Sequence, residues 1–165
     1  MKKLIYLFLA LIIVACSSDD SSDDGDNNQS NCNGDNPIYL ADNGVTIKAC
    51  DFALVGDSGV VNGIGYTIVD KQTLENMISA GEDVTRVCTS RIINMYDMFA
   101  NAAFNQPIGS WDVSNVTDME YMFQESSFNQ DISSWSVDGV TSCEDFSGGA
   151  PLTEANTPNF TNCNP

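Results

Sequence analysis

Few side chains in this chain could catalyse a reaction. Its 165 residues include no histidine, which excludes a Ser-His-Asp triad, a Cys-His pair and the HExxH zinc motif. Paired carboxylates can hydrolyse glycosidic bonds, and the candidates for that role are Asp112, Asp118, Glu120 and Asp131. Asp112 and Asp118 are matched by serines 24 residues later, so we interpret these carboxylates as surface positions. We expect no enzyme activity, no cofactor and no metal site.

The charge of the chain limits its partners. Twenty-three acidic residues stand against six basic ones, and the formal net charge is −17. Such a chain repels phosphate backbones, which argues against nucleic acid as a partner. No basic residue follows Arg91, whereas ten acidic residues do. A partner of this region is therefore expected to be cationic, neutral or bridged by calcium.

The first sixteen residues have the composition of an export signal. Lys2 and Lys3 precede an apolar run over residues 4–15, which is too short to span a bilayer but has the length of a signal-peptide core. The run ends in Ile-Val-Ala before Cys16, which resembles the lipobox of bacterial lipoproteins. The resemblance implies a signal peptide at 1–15 and acylation of Cys16, which would anchor the protein to a membrane.

Residues 16–36 form a polar segment with six aspartates and no basic or strongly apolar residue. This composition cannot bury enough surface to fold and is typical of a disordered tether. The cluster of Ser18, Asp19 and Asp20 beside Cys16 resembles a surface-export signal of some Gram-negative lipoproteins. That resemblance implies an outer-membrane anchor and exposure at the cell surface; the alternative is a spacer without a sorting role.

Residues 37–70 have the pattern of a small β-rich N-terminal cap. Short apolar segments flank Asn43-Gly44 and Asn62-Gly63, and an Asn-Gly pair is a strong signal for a hairpin turn. We therefore expect three or four short strands with tight turns in this part of the chain.

A period of 24 residues follows. Segments 95–118 and 119–142 are identical at twelve positions without a gap, residues 71–94 form a divergent copy, and residues 143–165 form a C-terminal cap. Periods of this length are typical of leucine-rich repeats, whose stacked units bury their apolar sides against each other. Helical spacing at Met95, Met98 and Phe99, followed by an L-x-x-L-x-L pattern from Ile108, predicts a helix and a strand in each unit. The expected fold class is an α/β repeat solenoid.

Polar and aromatic side chains recur at equivalent positions of these units. The polar ones are Asn105, Gln106, Asn129 and Gln130. They are expected to satisfy backbone groups at turns between neighbouring units. Trp111 matches Trp135. The two indoles could form a ligand-facing platform or could stack in the core, and their place in the strand pattern favours the core.

Two segments carry a family resemblance: FNQPIGSWDVSNVTDMEYMF at 104–123 and FNQDISSW at 128–135. They resemble the BspA-like leucine-rich-repeat surface proteins, whose module is also known as a domain of unknown function first noticed in mycoplasma lipoproteins. The resemblance covers residues 38–163. It implies a lipid-anchored surface protein with a non-catalytic role in adhesion, binding a protein or glycan. The rival function is a structural envelope lipoprotein without a dedicated ligand.

Five cysteines remain if Cys16 carries lipid. Export permits disulfides, and we predict two of them, Cys50–Cys88 and Cys143–Cys163. The first would tie the β-rich cap to the opening unit, and the second would close the C-terminal cap. Two other pairings of these four residues are possible. Cys32 is then left as a free thiol or an intermolecular link.

Overall fold

The computed structural model describes Cys32 and residues 34–165. The predicted signal peptide, the lipidation residue Cys16 and the Ser18-Asp19-Asp20 cluster lie outside these residues. The described part forms two small sheets, one short α-helix and long stretches of turns.

Two hairpins form where the Asn-Gly pairs predict them. Strand β1 (Ile38–Leu40) pairs antiparallel with β2 (Ile47–Ala49), and the Oδ1 of Asn43 accepts the N–H groups of the turn between them. Strand β3 (Ser58–Val61) pairs antiparallel with β4 (Ile64–Ile68). Between them, Asn62 and Gly63 have φ angles of 51° and 80°, the left-handed pair that a two-residue turn of this kind requires. The predicted hairpins are therefore confirmed.

The second sheet gains its third strand from further along the chain. Helix α1 (Lys71–Ser79) follows β4, and β5 (Val87–Cys88) then lies parallel to β4, since parallel neighbours need a crossover rather than a hairpin. A short 3₁₀ helix spans Glu154–Asn156 near the C-terminus. Neither of these described helices has the length and apolar character needed to cross a membrane.

Helix α1 begins at a well-formed cap. The Oδ1 of Asp70 accepts the N–H of Thr73 at 2.8 Å, which satisfies one of the unpaired donors of the first turn. Hydrogen bonds from the Thr73 side chain and backbone lower the pKa of the Asp70 carboxyl. The helix then buries Leu74, with Met77 and Ile78 packed against the same core.

Because the folded-state pKa of Asp70 is depressed, its stabilising effect is present above the ordinary carboxyl pKa. It is lost as the pH falls through the lower folded value. We expect acid to destabilise the wild-type chain more than an Asp70→Ser variant, whose hydroxyl caps the helix without titrating. Urea unfolding at neutral pH and at about pH 3, below the ordinary carboxyl range, measures the difference. An equal loss in both chains would show that Asp70 contributes nothing to this dependence.

The predicted α/β repeat solenoid is wrong. The α-helix α1 precedes both of the closely similar 24-residue segments, and no second α-helix occurs among the described residues. Segments 95–118 and 119–142 contain neither a helix nor a strand; isolated parallel bridges join Asn94 to Asp118 and Asp118 to Ser142. The described fold consists of small sheets, one α-helix, a short 3₁₀ helix and turns, without coils of helix plus strand.

The helix-like spacing of Met95, Met98 and Phe99 does not produce a helix, because the backbone between these residues adopts a left-handed conformation. Asp97 has a φ of 59°, and Tyr121, 24 residues later, has a φ of 55°; such residues interrupt a right-handed helix. The N–H of Asp97 donates to the carbonyl of Glu120 at 3.0 Å, and that of Tyr121 donates to the carbonyl of Glu144 at 3.0 Å. These two N–H groups, which an α-helix would bond four residues back, are therefore bonded to a distant segment.

Side chains 24 residues apart pack against each other in the core. The ring of Phe99 stacks on that of Phe123 with centroids 5.3 Å apart, and Phe104 stacks on Phe128 at 6.1 Å. This main core extends from Val69 to Phe146, and a smaller core lies beneath the N-terminal hairpins. At these positions, the sequence identities at a spacing of 24 correspond to side chains in contact.

Candidate functional site

The two tryptophans lie inside the protein. Trp111 is 0% exposed and Trp135 is 4% exposed, and their rings stack with centroids 6.5 Å apart. Each Nε1–H donates to a backbone carbonyl, that of Trp111 to Val84 at 3.0 Å and that of Trp135 to Ile108 at 3.2 Å. The ligand-facing interpretation of both residues is therefore wrong, because burial removes them from solvent and their single polar group is already paired.

Four of the described cysteines form two disulfides. Cys143 pairs with Cys163, as predicted, whereas Cys50 pairs with Cys32. The predicted Cys50–Cys88 bond is wrong, and so is the assignment of Cys32 as a free thiol or an intermolecular link. The N–H of Cys50 donates to the carbonyl of Pro37 at 2.9 Å. This bond holds Cys50 beside the incoming chain, where Cys32 reaches it.

Cys88 is the described cysteine that remains a thiol. It is fully buried on β5, and its Sγ lies 3.5 Å from the carbonyl oxygen of Ile47 and 3.4 Å from the hydroxyl of Ser90. Burial raises the pKa of the Cys88 thiol, which disfavours the thiolate that acts as nucleophile. This environment is that of an inert structural cysteine.

We expect Cys88 to resist alkylation in the folded protein and to react after unfolding, because only unfolding exposes the sulfur. Iodoacetamide labelling of a Cys16→Ser chain, read by mass spectrometry, should give no adduct in native buffer and a single adduct in denaturant without reductant. A Cys88→Ala version of that chain is the control and should give none in either condition. Rapid native labelling would contradict the buried position, and labelling of Cys32 or Cys50 would contradict their disulfide.

A polar cluster joins the first sheet to the main core. Asp112 is buried; its Oδ2 accepts the hydroxyl of Ser90 at 2.5 Å, and its Oδ1 accepts the hydroxyl of Ser114 at 2.6 Å. The Nζ of Lys48 lies 4.0 Å from the same Oδ1. A small pocket beside the cluster is lined by Asn43, Lys48 and Asp112. Because both carboxylate oxygens already have partners, Asp112 is placed to stabilise the junction rather than to act on a substrate.

Two other candidate carboxylates are also engaged in hydrogen bonds within the fold. Asp118 accepts the Nδ2–H of Asn94 at 2.8 Å and the N–H of Glu120 at 3.1 Å. Asp131 accepts the hydroxyl of Ser133 at 2.7 Å, a bond that lowers the pKa of Asp131. Across the described residues, no group of three or more His, Cys, Asp or Glu side chains is arranged to hold a metal ion.

An acidic surface with two tyrosines remains as the strongest candidate for recognition. Tyr96 meets Tyr121 edge to face with ring centroids 5.8 Å apart, and Tyr96 is 44% exposed. The charge of Glu144 raises the pKa of Tyr121, and desolvation and the charges of Glu120 and Asp145 act in the same direction. We name these five residues the acidic tyrosine ridge. A negative field and aromatic faces both attract cations.

Sequence spacing did not reveal the ridge. Tyr96 aligns with Glu120 and Tyr121 aligns with Asp97 in the 24-residue period, so the two tyrosines are not equivalent positions. They meet across neighbouring segments, beside the bond from Asp97 to the Glu120 carbonyl. The absence of basic residues after Arg91 was the one signal that pointed to this region.

The family described as Mycoplasma protein of unknown function, DUF285, matches residues 70–161, more than half of the chain. The matched residues include α1, the stacked aromatic core and the acidic tyrosine ridge. No curated protein and no solved structure matches the chain. The resemblance to a mycoplasma-type domain of unknown function is confirmed by this match, and the chain belongs to the DUF285 family of Mycoplasma proteins of unknown function.

Proposed function

We propose that this protein is a lipid-anchored bacterial surface protein that binds a protein or glycan without catalysing a reaction, as its resemblance to BspA-like proteins suggests. The anchor is the diacylglyceryl-modified Cys16, in the outer membrane, with the folded part exposed at the cell surface. The observation that carries the binding role is the acidic tyrosine ridge.

The ridge favours a partner with cationic groups. The charged groups of two preceding basic residues are already hydrogen-bonded. The Nζ of Lys71 donates to the Oδ1 of Asn94 at 2.7 Å, the atom that also accepts the N–H of Tyr96, and Arg91 donates to the carbonyls of Cys50 and Ala53. The carboxylates of Glu144 and Asp145 are exposed, so a cation can approach them without displacing part of the core. A basic side chain over a tyrosine ring and beside a carboxylate gains from both contacts.

A screen of the full chain against matrix proteins and glycans tests the binding role. We expect a ligand whose affinity falls as salt rises, because exposed charges are screened. The pair Glu144→Gln and Asp145→Asn should weaken that binding. The matched control, Glu82→Gln and Asp138→Asn, removes the same charge from other exposed positions and should leave the binding unchanged.

Some outcomes would contradict a cationic partner at the ridge. Binding that strengthens with salt, or a strongly anionic ligand, would rule it out. Equal loss in both variant pairs would show that only net charge matters. The alternative function, a structural envelope lipoprotein, predicts self-association or no ligand, and sedimentation of the full chain across a concentration range detects the former.

The anchor is tested separately. A Cys16→Ser chain should leave the membrane fraction, because the thioether and its acyl chains can no longer form, while the folded part is unchanged. Cell fractionation measures the distribution, and protease treatment of whole cells reports surface exposure. A Cys88→Ser chain is the control for loss of a cysteine. Retention of the Cys16→Ser chain in the membrane would contradict the anchor.

A further inference from the structure

A short loop between the two sheets exposes three large apolar side chains. Within the four residues that follow Asp51, Phe52 is 57% exposed, Leu54 69% and Val55 46%. We call Phe52, Leu54 and Val55 the apolar loop. Loops on a protein surface usually carry polar residues, and clustered exposed apolar side chains mark a surface that contacts something other than water.

The apolar loop is held in one conformation. The Nη2 of Arg91 donates to the carbonyls of Cys50 at 2.7 Å and Ala53 at 2.9 Å. The N–H of Leu54 donates to the Oδ2 of Asp57 at 2.9 Å. Ala53, in the middle of the loop, is only 2% exposed. The loop therefore turns one small side chain inward and presents its large apolar side chains outward on a fixed backbone.

These hydrogen bonds also suit the loop to an environment with little water. Backbone groups that enter an apolar phase unpaired carry a large cost. In this loop the guanidinium of Arg91 donates to carbonyl oxygens that would otherwise need water. Besides the carbonyls of Cys50 and Ala53, it donates to that of Asp51 at 3.2 Å. The N–H of Ala53 is paired as well, with the carbonyl of Cys50 at 3.0 Å. The loop can thus lose much of its hydration without exposing these polar groups.

The disulfide between Cys32 and Cys50 places the loop next to the chain that leads to the proposed lipid anchor. Fifteen residues, 17–31, separate Cys16 from Cys32, and they are Ser, Asp, Asn, Gln and Gly only. This segment offers no apolar side chain to cover the loop. Even fully extended, it keeps Cys32 within about 55 Å of the lipidated residue.

We propose that the apolar loop is a membrane-docking surface that inserts Phe52, Leu54 and Val55 into the outer part of a lipid bilayer. The proposal rests on the proposed lipid anchor at Cys16, which supplies the bilayer at short range. Docking on zwitterionic lipid is favoured over docking on anionic lipid, because the folded part carries seventeen acidic residues against four basic ones.

Fluorescence of the full lipidated chain in phosphatidylcholine vesicles tests the proposal. A Phe52→Trp chain should show blue-shifted emission and should lose most of its added emission when the lipid acyl chains carry bromine. An Ile93→Trp chain is the matched control, since Ile93 is also exposed, at 66%, but lies in another segment. It should show neither effect. Adding Leu54→Asp and Val55→Asp to the Phe52→Trp chain should abolish the quenching, and both positions are too exposed for this to unfold the protein.

Flotation of the same vesicles separates the two proposals. If the chain floats with the vesicles but brominated lipid does not quench the emission at Phe52→Trp, the anchor is retained and the docking proposal is overturned. Chains that fail to float overturn the anchor and the docking with it. Emission at Phe52→Trp that shifts with protein concentration, but not with brominated lipid, would overturn docking in favour of a contact between copies of the chain.

Discussion

Replacing Trp111 by alanine is expected to lower the free energy of unfolding by about 3–5 kcal/mol. The indole is fully buried and stacks on Trp135, and its Nε1–H is bonded to the carbonyl of Val84. The variant leaves a large cavity and removes the indole partner of a buried carbonyl. Since a domain of this size is stable by only about 5–15 kcal/mol, the variant should be close to unfolding. Urea unfolding of the Cys16→Ser chain, followed by circular dichroism, measures the change.

Two further variants separate the contributions in this prediction. Trp111→Phe keeps much of the apolar volume but loses the hydrogen bond, so its loss should be intermediate. Ile93→Ala truncates a side chain that is 66% exposed and should change stability by no more than about 0.5 kcal/mol. Equal losses in Trp111→Ala and Ile93→Ala would contradict the core position of the indole.

Removing the Cys143–Cys163 disulfide should cost about 3 kcal/mol, because the bond closes a loop that is otherwise free in the unfolded chain. The two cysteines are 20 residues apart, and the segment they enclose places Phe160 on Phe146, with ring centroids 5.0 Å apart. Phe146 is fully buried. We therefore expect the double variant Cys143→Ala and Cys163→Ala to lose stability and to be cut by protease first within residues 150–163.

The second disulfide provides the matched control. The double variant Cys32→Ala and Cys50→Ala removes a bond of similar span, 18 residues, at the opposite end of the described chain. It should lose a comparable amount of stability while leaving residues 150–163 resistant to protease. Unchanged stability in the Cys143 and Cys163 variant, or cleavage that does not move to this segment, would contradict the stabilising role of the bond.

Local signals in the sequence were sufficient for the N-terminal hairpins. The turns at Asn43-Gly44 and Asn62-Gly63 depend on residues that tolerate a left-handed backbone, a property of the residues themselves. The polar positions of the 24-residue period were also predictable: the Oε1 of Gln106 accepts the N–H of Val84, and its Nε2–H donates to the carbonyl of Glu82. At Asn43 and Gln106, a side-chain amide satisfies backbone groups.

The conformation of the 24-residue segments was not predictable in the same way. The spacing of Met95, Met98 and Phe99 is that of a helical face, yet Asp97 between them is left-handed. A run of successive turns can bring the same side chains to one face, so periodicity alone does not distinguish the two. The backbone partner of Asp97 lies at Glu120, and such a distant partner leaves no local trace in the sequence.

The cysteine pairing, too, was predictable from the sequence only in part. The bond between Cys143 and Cys163 was predictable because the two residues bracket the C-terminal cap that follows the 24-residue segments. The bond between Cys32 and Cys50 spans a similar 18 residues, but Cys32 lies in the polar segment whose composition predicts a tether, so nothing local indicated that it pairs with the folded part. Cys88 lies on β5 within the core instead, and its sulfur faces Ile47 and Ser90.

Composition and local pattern thus established the acidic charge, the lipobox-like motif, the hairpin turns and the matching of positions 24 residues apart. Long-range contacts decided the rest: the hydrogen-bond partners of Trp111 and Trp135, the partner of Cys32, the acidic tyrosine ridge and the outward orientation of Phe52 and Leu54. The physical reason is that the first group depends on the properties of neighbouring residues. The second depends on which distant segments supply the hydrogen-bond partners and the apolar contacts that each residue needs.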